Sequence, residues 1–181
     1  LPGGRKAFEQ RAWAESYRIL QAVDRDTPLD AEDLERLAIA AWLVGRDDEC
    51  ETVTARAHQA FLDRRDREGA ARAAFWLGFS LMERGAIAPA SGWFARAGRL
   101  LDEGQLDCAV RGYLLIPVGI KCIVQGDPSA AHVIFSQAAE IARRFADRDL
   151  ASVACHGRGR ALIRLGRIAE GVALLDEAMV S

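Results

Sequence analysis

Lysine is nearly missing from this 181-residue chain: only Lys6 and Lys121 stand beside 22 arginines. That bias is compatible with a GC-rich coding sequence. No stretch approaches the ~18–20 consecutive apolar residues that would span a bilayer. The opening Leu1-Pro2-Gly3-Gly4 has neither an initiator Met nor the charged-then-apolar order of a signal peptide. A charge excess is missing too: the formal net charge of -2 gives no general attraction to nucleic acid or to an anionic membrane. The four cysteines, Cys50, Cys108, Cys122 and Cys155, show no C-x-x-C spacing, so a reduced, cytoplasmic chain is the simplest account.

Recognisable chemistry is scarce as well. His58, His132 and His156 fall in three separate segments, whereas a zinc site needs three or four convergent ligands. Cys155 and His156 are neighbours on a helical pattern and point about 100° apart, so they do not chelate one metal together. Gly157-Arg158-Gly159-Arg160 and Gly3-Gly4-Arg5-Lys6 lack the preceding strand of a dinucleotide site and the Gly-Lys-Ser/Thr of a P-loop. No catalytic triad, carboxylate pair or Cys/His pair is brought to one place. The expectation is therefore a non-enzymatic chain with no cofactor and no metal.

What the chain does contain is a repeat. Gly45, Gly85, Gly126 and Gly166 recur at spacings of 40, 41 and 40 residues, a period that signals stacked repeats. Small residues recur at fixed offsets from each glycine: Cys50, Ala90, Ala131 and Gly171 five after, Ala57, Ala97, Ala138 and Ala178 twelve after, Ala38, Gly78, Gly119 and Gly159 seven before. Small residues at fixed helical offsets mark where two helix backbones cross closely. Large apolar residues take the complementary places: Phe94, Phe135 and Leu175 nine after, Leu37, Leu77 and Val118 eight before, with Thr54 and Arg158 as exceptions. Each unit reads as helix, glycine turn, helix, because glycine tolerates the left-handed backbone that often ends a helix. Asp127-Pro128 adds an N-cap followed by proline at the first helical position. The register extends backwards, with Arg11 in the glycine place, Ser16 and Leu20 after it, Gly4 before it and Pro28 closing the unit.

These residues resemble the tetratricopeptide repeat. The set Leu77-Gly78, Leu81, Gly85, Ala90, Phe94 and Ala97 carries the resemblance best, followed by Val118-Gly119, Cys122, Gly126, Ala131, Phe135 and Ala138. The family's unit is about 34 residues, so these longer units imply longer second helices, such as 49–65 and 130–144. The resemblance implies an all-α fold: a right-handed superhelix of about five helix-turn-helix units, at about 1–29, 30–66, 67–105, 106–147 and 148–181, forming a single array cut from a longer chain. Units of this length are similar to the tetratricopeptide-like regions of actinobacterial LuxR-type transcriptional regulators.

In that family the first helices line the concave, peptide-binding side. Carried over, this implies a partner groove formed by Trp42, Phe75, Phe79, Met82, Tyr113, Ile116, Ile120, Ile123, His156 and Arg160. Exposed apolar patches of this kind usually mark interaction sites, with aromatic and Met side chains as anchors; burial of the same rows as ordinary core is the competing reading. Arg160, Arg164 and Arg167 share one helical face, either to seat an acidic group or to form a solvated, salt-bridged surface. The expected partner is a protein, a peptide or another segment of the same full-length chain, with a homodimer through the end units as the alternative. Neither nucleic acid nor membrane is expected to bind.

The turn glycines give a direct test. Gly126→Val is expected to destabilise the chain by about 1–3 kcal/mol through backbone strain. Chemical denaturation showing no shift would remove Gly126 from a helix-helix turn.

Overall fold

The structure is a computed structural model that describes residues 1–180. Ser181, with which the fifth expected unit ends, lies outside the described residues, as does the side chain of Val180. All regular structure among the described residues is helical: α1 Pro2–Glu9, α2 Trp13–Asp26, α3 Ala31–Leu43, α4 Asp47–Asp63, α5 Arg67–Glu83, α6 Ile87–Glu103, α7 Val110–Val124, α8 Pro128–Phe145, α9 Arg148–Arg164 and α10 Ile168–Val180. They group into two compact units: the N-terminal unit Leu1–Gly104 holds α1–α6, and the C-terminal unit, from Gln105, holds α7–α10. Successive helices pair as antiparallel hairpins, α1 with α2 through to α9 with α10.

The glycines close those hairpins. Gly45, Gly85, Gly126 and Gly166 have φ of 75°, 80°, 82° and 81°. In each, the following residue donates its N–H five residues back, as Asp127 does to the Cys122 carbonyl at 2.9 Å and Arg46 to that of Ala41 at 2.8 Å. This capping satisfies carbonyls that a helix end would otherwise leave free. The same turn recurs without glycine: Arg11, in the glycine place of the first hairpin, and Arg65 and Ala146, between hairpins, adopt φ of 57°, 60° and 52°. Arg65 and Ala146 carry no sequence signal, and they set where the second helices α4 and α8 end. α4 starts at Asp47, two residues before the expected 49, and ends before Arg65; α8 runs one residue further than expected at its C-terminal end. Asp30, Asp66, Asp127 and Asp147 cap α3, α5, α8 and α9 by accepting backbone N–H bonds.

Small residues mark the helix crossings. A Cβ at Gly78 would stand 2.7 Å from the Phe94 ring, and one at Gly119 would stand 2.6 Å from the Phe135 ring. Phe135 also lies against Gly157 of α9, so a single ring of α8 occupies space left by two glycines. Phe61 of α4 lies in the same way on Gly69 of α5, at 2.5 Å from such a Cβ. Ala57, Ala97 and Ala138 are buried. Val118 departs from the pattern and is exposed.

The N-terminal unit also carries a buried charge. Asp33 of α3 is fully buried and accepts from Arg5 of α1 at 2.8 and 2.5 Å and from Arg36 Nη1 at 2.7 Å. Burial pushes the Asp33 carboxyl up, but the hydrogen bonds from Arg5 and Arg36 outweigh it and hold it below its ordinary value. A carboxyl whose folded pKa is lowered adds stability that is complete above its unfolded pKa, near ~3.9, and is lost as pH falls below that. Asp33→Asn is therefore expected to cost about 1–3 kcal/mol at pH 7 and to flatten the acid side of the stability profile below pH ~4. Urea titrations of both proteins from pH 7 to 3 check this; parallel profiles would contradict it.

Candidate functional site

In the N-terminal unit the first helices α3 and α5 are tied by a two-point ion pair. Arg72 Nε donates to Glu35 Oε1 at 2.6 Å and Nη2 to Oε2 at 2.9 Å. Residues three and four apart share a helix face, so the positions that follow this pair emerge on the same side. On α3 they are Ile39, Trp42 and Leu43, all exposed, with Trp42 at 55%. On α5 they are Trp76, which is 42% exposed, and then Phe79 and Met82, both half-buried. The Trp76 and Phe79 rings meet edge to face at 6.0 Å. The result is a set of apolar side chains with an aromatic on each helix, about one to two turns beyond a charged clamp.

Phe75, Ile116 and Ile123 correct the expected groove: all three are core residues. Phe75 stacks on Phe79 and Phe94 at 5.8 Å each, inside the α5–α6 hairpin. Ile116 and Ile123 lie seven residues apart on one stripe of α7, and α7 is packed by both α8 and α9. The same stripe on α3 leaves Trp42 at the surface, because one offset is buried or bared according to which neighbours surround its helix.

In the C-terminal unit Ile120 is half-buried on α7. The Tyr113 hydroxyl donates to Asp147 Oδ1 at 3.1 Å, pinning α7 to the residue that caps α9. Burial first, then the Asp147 charge, push that hydroxyl well above its ordinary value. His156 and Arg160 are exposed on α9. His156 lines an open cavity of about 480 Å³ between α9 and α10 with Val153, Leu175 and Met179; burial and then Arg160 hold its imidazole below its ordinary value. Arg167 does not join Arg160 and Arg164 as a free cation, since it grips Glu170 at 2.8 and 2.5 Å.

His58 is buried. Its Nδ1 bonds the Ala70 carbonyl at 2.8 Å and its Nε2 faces Arg96 Nε at 2.7 Å, which assigns the proton to Nδ1 and makes Nε2 the acceptor. Burial lowers its pKa, so it joins α4, α5 and α6 as a neutral structural residue. No group of three His, Cys, Asp or Glu among the described residues could hold a metal ion. Trp76 and Leu43 are surface residues that the repeat offsets did not pick out. Trp76 was visible only as the residue four after Arg72 and three before Phe79.

No family model and no curated protein matches the sequence. Solved structures resemble it over nearly its whole length. The TPR-like repeats of a Podosopora anserina kinesin-light-chain protein align with a TM-score of 0.59 at 14% identity, over 98% of this chain and 90% of that one. This chain has the TPR-like helical-repeat fold. The Rap conjugation gene regulator of plasmid pLS20, solved with the Phr* peptide, aligns with a TM-score of 0.75 at 14% identity, over 98% of this chain and 50% of its own. The quorum sensor NprR from B. thuringiensis, in its apo form, gives 0.69 at 13%, over 97% and 50%. The chain thus spans about half the length of those two proteins, and at such identity the likeness concerns the fold alone. No helix among the described residues is long and apolar enough to cross a membrane.

Truncations separate surface from core. Phe75→Ala should lower stability by about 3–5 kcal/mol, whereas Trp42→Ala should change it by less than about 1 kcal/mol. Guanidinium denaturation of both variants reads this, and equal losses would place Trp42 in the core.

Proposed function

We propose that this chain is a non-enzymatic peptide- or protein-binding array whose contact surface is the α3–α5 face of Ile39, Trp42, Phe79 and Met82. The observation that carries the reading is the Arg72–Glu35 pair, which aligns two first helices so that apolar side chains of both emerge together. A half-exposed indole on α3 and a half-buried Phe and Met on α5 suit apolar anchor contacts, where truncation commonly costs ~2 kcal/mol or more. The Rap regulator solved with its Phr* peptide and the quorum sensor NprR support placing the chain as the sensing or assembly module of a bacterial transcriptional regulator. A cytoplasmic setting belongs to that reading, and the four free cysteines favour it. Ile120, His156 and Arg160 are candidate contacts of the C-terminal unit taken by itself. The exposed Val172 and Met179 of α10 favour a second reading, self-association through the last hairpin.

A random peptide library selected on the protein tests the main reading. Enriched peptides should share an apolar anchor, and Trp42→Ala and Phe79→Ala should each weaken their binding about 30-fold, the equivalent of ~2 kcal/mol, with helical circular dichroism retained. Peptides that bind both variants as tightly as the parent would place the site elsewhere. Sedimentation showing a dimer that Met179→Glu abolishes would favour self-association.

A further inference from the structure

The last hairpin breaks the repeat at one place. Eight residues before the turn glycine stand Leu37 and Leu77, both buried, then Val118, which is exposed, and on α9 the charged Arg158. Its Nε is buried and has no hydrogen-bond partner among the described residues. A buried N–H left unpaired costs about 1–3 kcal/mol, so an arginine in a leucine place calls for a compensating acceptor.

The repeat register shows what surrounds it. In the second hairpin, Leu37 lies at a cavity of about 320 Å³ whose wall includes Tyr17 of α2 and Glu49 of α4. There Tyr17 donates to Glu49, and Gln21 donates to the same carboxylate at 2.8 Å. The places of Tyr17, Leu37 and Glu49 are taken in the last hairpin by His132 of α8, Arg158 of α9 and Glu170 of α10. Glu170, however, is already gripped through both oxygens by Arg167. The acceptor at this place is thus paired with Arg167, while the His132 ring has no hydrogen bond among the described residues and Arg158 Nε has none. His132 is faced by Arg158 from α9 and by Arg167 and Glu170 from the start of α10; burial first, and then the two arginines, hold its imidazole below its ordinary value against the smaller pull of Glu170. Cys155 on α9 also feels Arg158.

From the orphaned Arg158 Nε, the unbonded His132 ring and the Arg167–Glu170 pair, we infer that the Arg158–His132 cluster of α8 and α9, facing the start of α10, is a binding site for a compact oxyanion, a carboxylate or a phosphate group. Arg158 supplies a charge-assisted bond, the strong kind for such ligands, and His132 the second donor. One net positive charge, Arg158 beyond the Arg167–Glu170 pair, suits a monoanion near neutral pH. Binding draws a proton onto His132, so affinity rises as pH falls. This site lies within the C-terminal unit and does not depend on the apolar α3–α5 face.

The test titrates the full chain with inorganic phosphate and, separately, with acetate at constant ionic strength, so that general screening of exposed arginines stays fixed. The His132 ring resonances report occupancy. A saturable shift is expected, with a dissociation constant of about 1 mM, a His132 pKa that rises with ligand, and tighter binding at pH 6 than at pH 7.5. Arg158→Leu, which restores the residue found at positions 37 and 77, should fold and raise the dissociation constant at least tenfold, whereas Arg164→Leu should leave it within about twofold. Arg158→Gln replaces the leucine variant if a melting curve shows that one unfolded. Saturation by phosphate alone assigns a phosphate ligand, and saturation by acetate assigns a carboxylate. A linear, unsaturated His132 shift with both probes, or the same binding in the Arg158 variant, overturns the site.

Discussion

The close approach of helix backbones at glycine and alanine is the constraint on which the rest depends. Phe61, Phe94 and Phe135 each lie where a Cβ on the facing helix would collide with the ring. Interiors are packed at crystal-like density, so such a ring has no other room, and the glycine fixes both its position and the distance between the helices. Phe135 does this twice, against Gly119 and Gly157, and so links α7, α8 and α9 through one side chain. Stability in such folds is a sum over neighbouring contacts, and these ring-on-glycine contacts set their geometry.

That packing decides what remains for binding. Once second helices are held by their small residues, the first helices present one stripe to a neighbour or to solvent. In the C-terminal unit the stripe of α7 is buried, and Ile116 and Ile123 become core. In the N-terminal unit the Arg72–Glu35 pair holds α5 beside α3 and leaves Trp42 largely bare. Polar departures from the repeat fall into two kinds. Asp33 and His58 are buried and bonded on every side that matters, so they organise their unit. Arg158 is placed like them but lacks an acceptor for its Nε.

Turn glycines, the Asp127 cap and small crossing residues within hairpins were legible in the sequence because each has a local cause: a left-handed backbone, an orphan N–H, a backbone too near for a side chain. The left-handed Arg65 and Ala146 were not legible, since no residue-type preference announces them, and the ends of α4 moved accordingly. The pairing of Arg5 with Asp33 joins residues 28 apart and has no periodic signature.

The sequence by itself determined the period, the helical hairpins and the small residues at crossings within each hairpin, because those depend on contacts between helices adjacent along the chain. It did not determine which apolar residues of the first helices face solvent. Phe75 and Phe79 are four apart on one helix, yet the first is core and the second half-bared. Trp42 and Ile123 share one offset and have opposite surroundings. Only the tertiary structure decided those cases, since burial depends on which helix packs against each face, within the hairpin for Phe75 and beyond it for Ile123, and the spacing of residues along one chain carries no record of that neighbour.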